Sequence, residues 1–386
     1  MARHKQIGTI SMLRVNRTKR SVVAVTILVL SAAVGLSQEP KNNQRHSRPL
    51  QILVLGDSIL WGQGLKTEHK TWHHIKVWLQ KNTDRPVVER IEAHSGAVIE
   101  RRSLTDNLTS PNSEVNLGLP TVHDQIDHSL QFYSDPSKVD LVLLSGCGND
   151  VGVQKLLNAS SVGEVNEMTQ AKCGAPMENL LRRIARTFPS AYVIVTGYYP
   201  FFSEQTRNDF VLKGLARRFF KTRGAGDVGM SSKEIFERLK LNSKQWYDTS
   251  NARIAEAVRK VNQENGEERI AFAGIDFPAA YSFAAPQTRL WGFNRSPFRT
   301  ALLFLSFGKV LLPSNDDVRK QRSASCDELY KAPQNETSEE KRDRKALRLF
   351  CRYASLGHPN RKGALLYADS ITTILKSSRL VPVSSH

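Results

Sequence analysis

The chain has 386 residues, of which 40% are hydrophobic and 24% charged, and a formal net charge of +18. That balance supports a buried core and excludes disordered, collagen-like and low-complexity classes. The basic excess favours association with anionic surfaces and carries no information about fold.

In chain order, Arg3, Lys5, Arg14, Arg17, Lys19 and Arg20 precede an uncharged apolar run from Val22 to Leu36. The run is shorter than the ~18 residues of a spanning helix and closes in small residues, as an export signal with a cleavage region does. Residues 1–37 are therefore expected to be a signal peptide and 38–48 a linker, with one domain over 49–380; the protein is expected to be exported, periplasmic or extracellular. Without the six cations the chain keeps about +12. An anionic envelope or membrane surface is thus an expected partner, and specific nucleic-acid binding is not. The basic segment Lys213 to Arg223, which holds Phe219 and Phe220, reads either as a surface-binding stretch or as a solvated helix face.

Leu50 to Leu55 reads as a buried strand ending at a glycine. Further apolar, β-branched runs follow at Val87 to Ile91, Asp140 to Leu144, Ala191 to Thr196 and Ile270 to Ile275. Helical periodicity lies between and after them: Thr71 to Lys81, Thr121 to Tyr133, Val162 to Thr187, Lys233 to Asn262 and Lys362 to Leu375. Alternation of this kind predicts an α/β protein with a parallel sheet covered on both faces, and a ligand site at the carboxyl ends of the strands. Insertions near 200–232 and 277–348 are where loops that select a substrate would be built.

Four short blocks fall where that geometry places chemistry. Gly56-Asp57-Ser58 follows the first strand, where a serine stands exposed beside the N–H groups of the next turn. Ala93-His94-Ser95-Gly96 follows the second, and a glycine N–H approaches a ligand without an intervening side chain. Ser145-Gly146-Cys147-Gly148-Asn149-Asp150 follows the third, with the Asn149 amide as an oxyanion donor and Asp150, like Asp57, in a supporting place. Gly357-His358-Pro359-Asn360 precedes the last helix, where a histidine serves a serine as general base. Taken singly, each block also reads as an ordinary polar turn.

In this order the blocks resemble those of the SGNH (GDSL-type) hydrolases, over about Leu50 to Leu375. The resemblance implies a three-layer α/β/α, flavodoxin-like sandwich around a five-stranded parallel sheet. It also implies ester hydrolysis through an acyl-enzyme on Ser58, with His358 as base, and with the N–H groups of Ser58 and Gly96 and the Asn149 side chain as oxyanion hole. The implied substrate is an acyl ester of carbohydrate or lipid, and no cofactor or metal is expected. Two departures stand out. Ser355 occupies the place three residues before the histidine where the family has an Asp, which leaves a backbone carbonyl, Asp316 or Asp327 to orient the ring. Cys147 stands two before Asn149 in place of a glycine, with Gly146 one residue away. An acyltransferase using the same serine and histidine, and a binding protein with a degenerate triad, are the alternative readings.

The four cysteines permit three pairings, of which Cys147 with Cys173 and Cys326 with Cys351 close modest loops, and neither has metal-site spacing. Gly224 to Gly229 matches GxGxxG without a preceding strand and reads as a loop. His73 and His74 are neighbours on a helix and make a poor metal pair.

Overall fold

A computed structural model describes residues 48–100, 112–207, 230–294 and 312–381. The segment expected to be a signal peptide, the basic stretch at 213–223, the GxGxxG match and parts of both insertions lie outside the described residues.

Five strands, β1 (Leu50–Leu55), β2 (Val87–Ile91), β3 (Leu141–Leu144), β4 (Tyr192–Thr196) and β5 (Ile270–Ala273), form an all-parallel sheet in the order β2-β1-β3-β4-β5. β1 and β2 have the bounds read from sequence, and the other three runs shorten only at their ends. In β1 and β3 every apolar position is buried, the pattern of strands covered on both faces.

The α-helices among the described residues, in chain order, are α1 (Ser58–Trp61), α2 (Thr71–Thr83), α3 (Val122–Leu130), α4 (Gly148–Val151), α5 (Val153–Leu156), α6 (Glu164–Cys173), α7 (Ala175–Thr187), α8 (Ser232–Asn265), α9 (Arg319–Leu329), α10 (Ser338–Arg352) and α11 (Arg361–Lys376). The strands' period of two sorts the core into two layers. Leu50, Ile52, Val54, Leu141 and Leu143 pack with Trp72, Ile75 and Leu79 of α2 and Ile371 and Leu375 of α11. Leu53, Leu55, Val142 and Leu144 face the opposite way, toward Val122 and Ile126 of α3, Leu180 and Ile184 of α7 and Ile254 of α8. The fold is thus the three-layer α/β/α sandwich with a five-stranded parallel sheet.

One expected helix, Val162 to Thr187, is two. The chain breaks at Gly174, and Pro176 stands in the first turn of α7, where its missing N–H costs nothing. The bonds Cys147–Cys173 and Cys326–Cys351 both form. The first fastens the loop after β3 to the end of α6, and the second joins α9 to α10. Among the described residues no helix is long and apolar enough to cross a membrane, and no cluster of side chains could hold a metal ion.

Because β2 lies on one side of β1 and β3 on the other, the strand order reverses between β1 and β3. Loops leaving their carboxyl ends diverge there and open a crevice. Both the serine and the asparagine blocks leave the sheet at this point.

Away from the crevice, the buried Arg269 donates to the carbonyls of Ala185 (2.6 Å), Phe188 (3.1 Å) and Ala191 (3.2 Å), closing the end of α7 beside β5. Arg269→Met leaves these acceptors unsatisfied. It is expected to lower stability by ~1–3 kcal/mol in chemical denaturation while the far-UV circular dichroism at 25 °C is unchanged.

Candidate active site

β1 ends at Gly56, whose φ of +124° is accessible to glycine and whose absent Cβ would overlap the backbone of Ser145. Gln125 of α3, fully buried, accepts from Gly56 N–H (2.7 Å) and donates to its carbonyl (3.0 Å), so the turn leaves no orphaned polar group. Asp57 then caps α1, accepting from Ile59 N–H at 3.0 Å, which sets Ser58 at the first position of the helix with its N–H unused by the helical ladder.

Asp57 does more than cap. Its carboxylate also accepts from Ser145 Oγ (2.7 Å) and Tyr198 Oη (2.6 Å), and Tyr198 Oη accepts in turn from Gly148 N–H (2.9 Å). One buried network therefore joins the turns after β1, β3 and β4. Burial pushes the Asp57 carboxyl up against the opposing pull of the Tyr198 and Ser145 hydrogen bonds, and pushes the Tyr198 phenol well above its ordinary value. The phenol is a fixed donor. Tyr198 is itself held by Asn251 of α8, which bonds both its N–H (2.8 Å) and its carbonyl (3.1 Å).

The glycine and asparagine blocks are tied to each other. Gly96 has φ +85°, and a Cβ there would stand 2.7 Å from the Asn116–Leu117 backbone. Asn149 is the second residue of α4, and its Nδ2 donates to Ala97 carbonyl (2.9 Å), while Asp150 accepts from Ile99 N–H at 3.0 Å. Asp150 thus fixes the loop after Gly96. One of the two Asn149 amide hydrogens points to Ala97. Cys147, at φ +86° and disulfide-bonded, takes the left-handed position ahead of α4, so the departure from glycine there is held by a covalent bond. Among the described residues, neither Ser58 N–H nor Gly96 N–H has a hydrogen-bond partner.

His358 reaches this corner from the far end of the chain. Its Nε2 lies 2.8 Å from Ser58 Oγ, across 300 residues of sequence. The loop that carries it is held by main-chain bonds from Trp291 N–H to His358 carbonyl (2.7 Å) and Gly357 N–H to Trp291 carbonyl (2.9 Å), and by Tyr199 Oη on Gly357 carbonyl (2.8 Å). Asn360 then caps α11.

Among the described residues no carboxylate touches the other side of the imidazole. Nδ1 is buried without a hydrogen-bond partner among the described residues, with the carbonyls of Ser355, Ala354 and Leu356 close enough to favour the cation. Neither candidate acid orients the ring. Asp327 lies on α9, paired with Arg348 (2.8 Å) and Arg352. Asp316 accepts from Ser355 Oγ at 2.7 Å and is salt-bridged to Arg322 at 2.6 Å. Arg322 is fully buried and also bonds Ser355 Oγ (3.0 Å) and Glu114 (2.8 Å). Glu114 accepts from Trp61 Nε1, Gln63 Nε2 and Gly64 N–H, each at 2.9 Å. A buried charge cluster thus stands behind Ser355 where a triad would keep an acid. Burial would raise Asp316, but the guanidinium prevails and holds it below the usual carboxylate range. Burial first, and then repulsion from Arg322, pushes His358 down to about 4, and the ring's remaining exposure to the crevice moderates that drop.

Ser58, Gly96, Asn149 and His358 all line one cavity of about 500 Å³ at the switch point. The sheet order and this convergence of four blocks agree with the resemblance to the SGNH hydrolases read from the sequence. Among solved structures, the chain is similar to an extracellular lipase from Streptomyces rimosus at 18% identity, covering 62% of this chain and 87% of that one with a TM-score of 0.38. A phospholipase A1 from Streptomyces albidoflavus NA297 matches at 18% identity, 64% and 89% coverage and a TM-score of 0.37. A family 3 carbohydrate esterase from Clostridium thermocellum matches at 17%, 61% and 83%, with 0.33. No family model matches the chain, and no curated protein does.

Several residues that build this site were not singled out in the sequence for these roles. Gln125 sits on the apolar face of α3 between Val122 and Ile126, and a polar residue in such a stripe is a readable signal. Arg322 and Glu114 have none, since both lie in polar stretches and acquire their roles only through contacts distant in sequence.

Moving the carboxylate tests this electrostatic picture. In the wild type the His358 ring is expected to titrate well below 6.5 by NMR. In Ser355→Asp combined with Asp316→Asn, which keeps the cluster's net charge, the midpoint should rise by ~1–3 pH units.

Proposed function

We propose that the protein is an exported serine ester hydrolase in which Ser58 is the nucleophile and His358 its general base. The observation that carries this reading is the 2.8 Å contact between Ser58 Oγ and His358 Nε2, beside two N–H groups without partners among the described residues. A binding protein with a dismantled site would have no need to hold both.

With the proton on Nδ1, Nε2 accepts from Ser58 Oγ–H. As Oγ attacks the ester carbonyl, the proton passes to Nε2 and negative charge develops on the carbonyl oxygen. Ser58 N–H, at the start of α1, and Gly96 N–H supply donors there, and the Asn149 amide hydrogen not given to Ala97 supplies a third. The imidazolium returns its proton to the leaving alkoxide. Water, deprotonated by the same nitrogen, then cleaves the acyl-enzyme.

The unusual element is what stabilises the imidazolium. Three backbone carbonyls favour it, and the Arg322 guanidinium opposes it. Such a base is weaker than one paired with a carboxylate, but it stays unprotonated in acid. His358 works only when neutral, so a depressed pKa preserves activity as the pH falls. The kcat/KM for p-nitrophenyl butyrate is therefore expected to change little from pH 7 to ~pH 5 and to fall below that; an acid limb centred near 6.5 would contradict the arrangement.

A fluorophosphonate should label Ser58, identified by peptide mass spectrometry, and fail on Ser58→Ala. Ser58→Ala and His358→Ala are each expected to lower kcat/KM by ~10³-fold or more, and Asn149→Ala to lower kcat by ~10²–10³-fold. Wild-type turnover no higher than that of Ser58→Ala would refute the proposal.

A further inference from the structure

The cavity next to Ser58 distinguishes between the two ester classes that the site chemistry admits. Its wall runs from Val153, Leu156 and Leu157 in and after α5, across the rings of Phe201 and Phe283, to Phe350 of α10. Among the described lining residues only Asp57 and His358 carry titratable acid or imidazole groups, and both are committed: Asp57 to Ile59, Ser145 and Tyr198, and His358 to Ser58. The hydroxyls of Tyr198 and Tyr199, which would otherwise suit a sugar, are turned onto Gly148 and Asp57 and onto Gly357. Ring faces remain. Rings pack on one another here, with Phe201 and Phe283 stacked at 5.0 Å and Tyr198 against Trp246 at 4.7 Å between centroids.

A pyranose in this space would desolvate several hydroxyls against carbon, and a hydroxyl buried without a partner costs ~1–3 kcal/mol. An alkyl chain needs no partners and gains from leaving water at every methylene, ~4-fold in affinity for each one buried. An acetyl group would leave most of the about 500 Å³ unfilled.

We infer that this cavity is an acyl-chain site, and that the substrates are neutral esters of medium or long fatty acids, with the acyl chain against the Val153–Leu157 and Phe201–Phe283 walls. The inference rests on the proposed esterase reading and deepens it. The alcohol side of the ester is left to the polar rim, where Asn116 and the exposed Gln154 stand.

The test compares p-nitrophenyl acetate, octanoate and palmitate on the wild type, Leu157→Trp and Val153→Trp, with folding of each variant checked by circular dichroism. The expected result is a kcat/KM for octanoate at least tenfold above that for acetate in the wild type, with this ratio reduced at least fivefold in whichever wall variant folds. Acetate preferred over octanoate, or a ratio unmoved by a folded wall variant, would overturn the acyl-chain site while the esterase reading stood. Binding by Ser58→Ala separates the two failures. Calorimetry with methyl octanoate and methyl acetate should detect only the former, with a negative heat-capacity change. Octanoate binding without any turnover in the wild type would uphold the site and sink the esterase. Equal or absent binding of the two esters would sink the site.

Discussion

The 2.8 Å approach of Ser58 to His358 joins two residues separated by 300 positions, and much of the architecture is what that contact requires. Ser58 is carried out of the sheet by β1, one of its inner strands. His358 arrives on a loop that must be brought over the same corner by α11, which packs beside α2 on one face, and by the Trp291 segment, which pairs with it through main-chain bonds. A parallel sheet makes such a meeting practicable, because every strand delivers its exit loop to the same edge. The reversal of strand order between β1 and β3 then clears the space into which the loops converge.

Keeping the corner rigid falls to buried polar groups with no partners to spare. Gln125 satisfies both backbone groups of Gly56, and Asn251 does the same for Tyr198. Two helices on one face of the sheet thus clamp two strand exits with the same device, an amide side chain that mimics a neighbouring strand. Between the clamps, Asp57 and Tyr198 link three loops through hydrogen bonds in a low-dielectric setting, where leaving any one unmade is costly. Here stability and site geometry have the same physical cause.

The second buried system, Arg322 with Asp316 and Glu114, changes the balance of charge beside the site. Its guanidinium neutralises the carboxylate nearest to the histidine loop and turns it toward Ser355, so His358 is left with carbonyl dipoles in place of an anion. The same cluster reaches the turn after α1 through Glu114 and the histidine loop through Ser355. It anchors from two sides the segments that present Ser58 and His358, and its charge disfavours the imidazolium. One set of contacts thus both holds these segments in place and sets the charge around His358.

Much of this was determined by the sequence alone: the strands, whose uninterrupted apolar runs demand burial on both faces, the order of the three blocks at their carboxyl ends and of the fourth before the last helix, and cysteines spaced to close modest loops. These are local signals, each written in adjacent residues. The break at Gly174 was as local, in the Gly-Ala-Pro that starts α7, and periodicity read across a long segment overrode it. What only the tertiary structure decided depends on which distant groups become neighbours. Ser355 announces a missing acid, but nothing near it in sequence reveals that Asp316 stands behind it under the hold of Arg322. Hydrogen-bond partners and net local charge are properties of the folded interior, where water is excluded and a single guanidinium can redirect a carboxylate. Burial patterns follow from composition and period, whereas the protonation of His358 follows from contacts that exist only once the chain has closed.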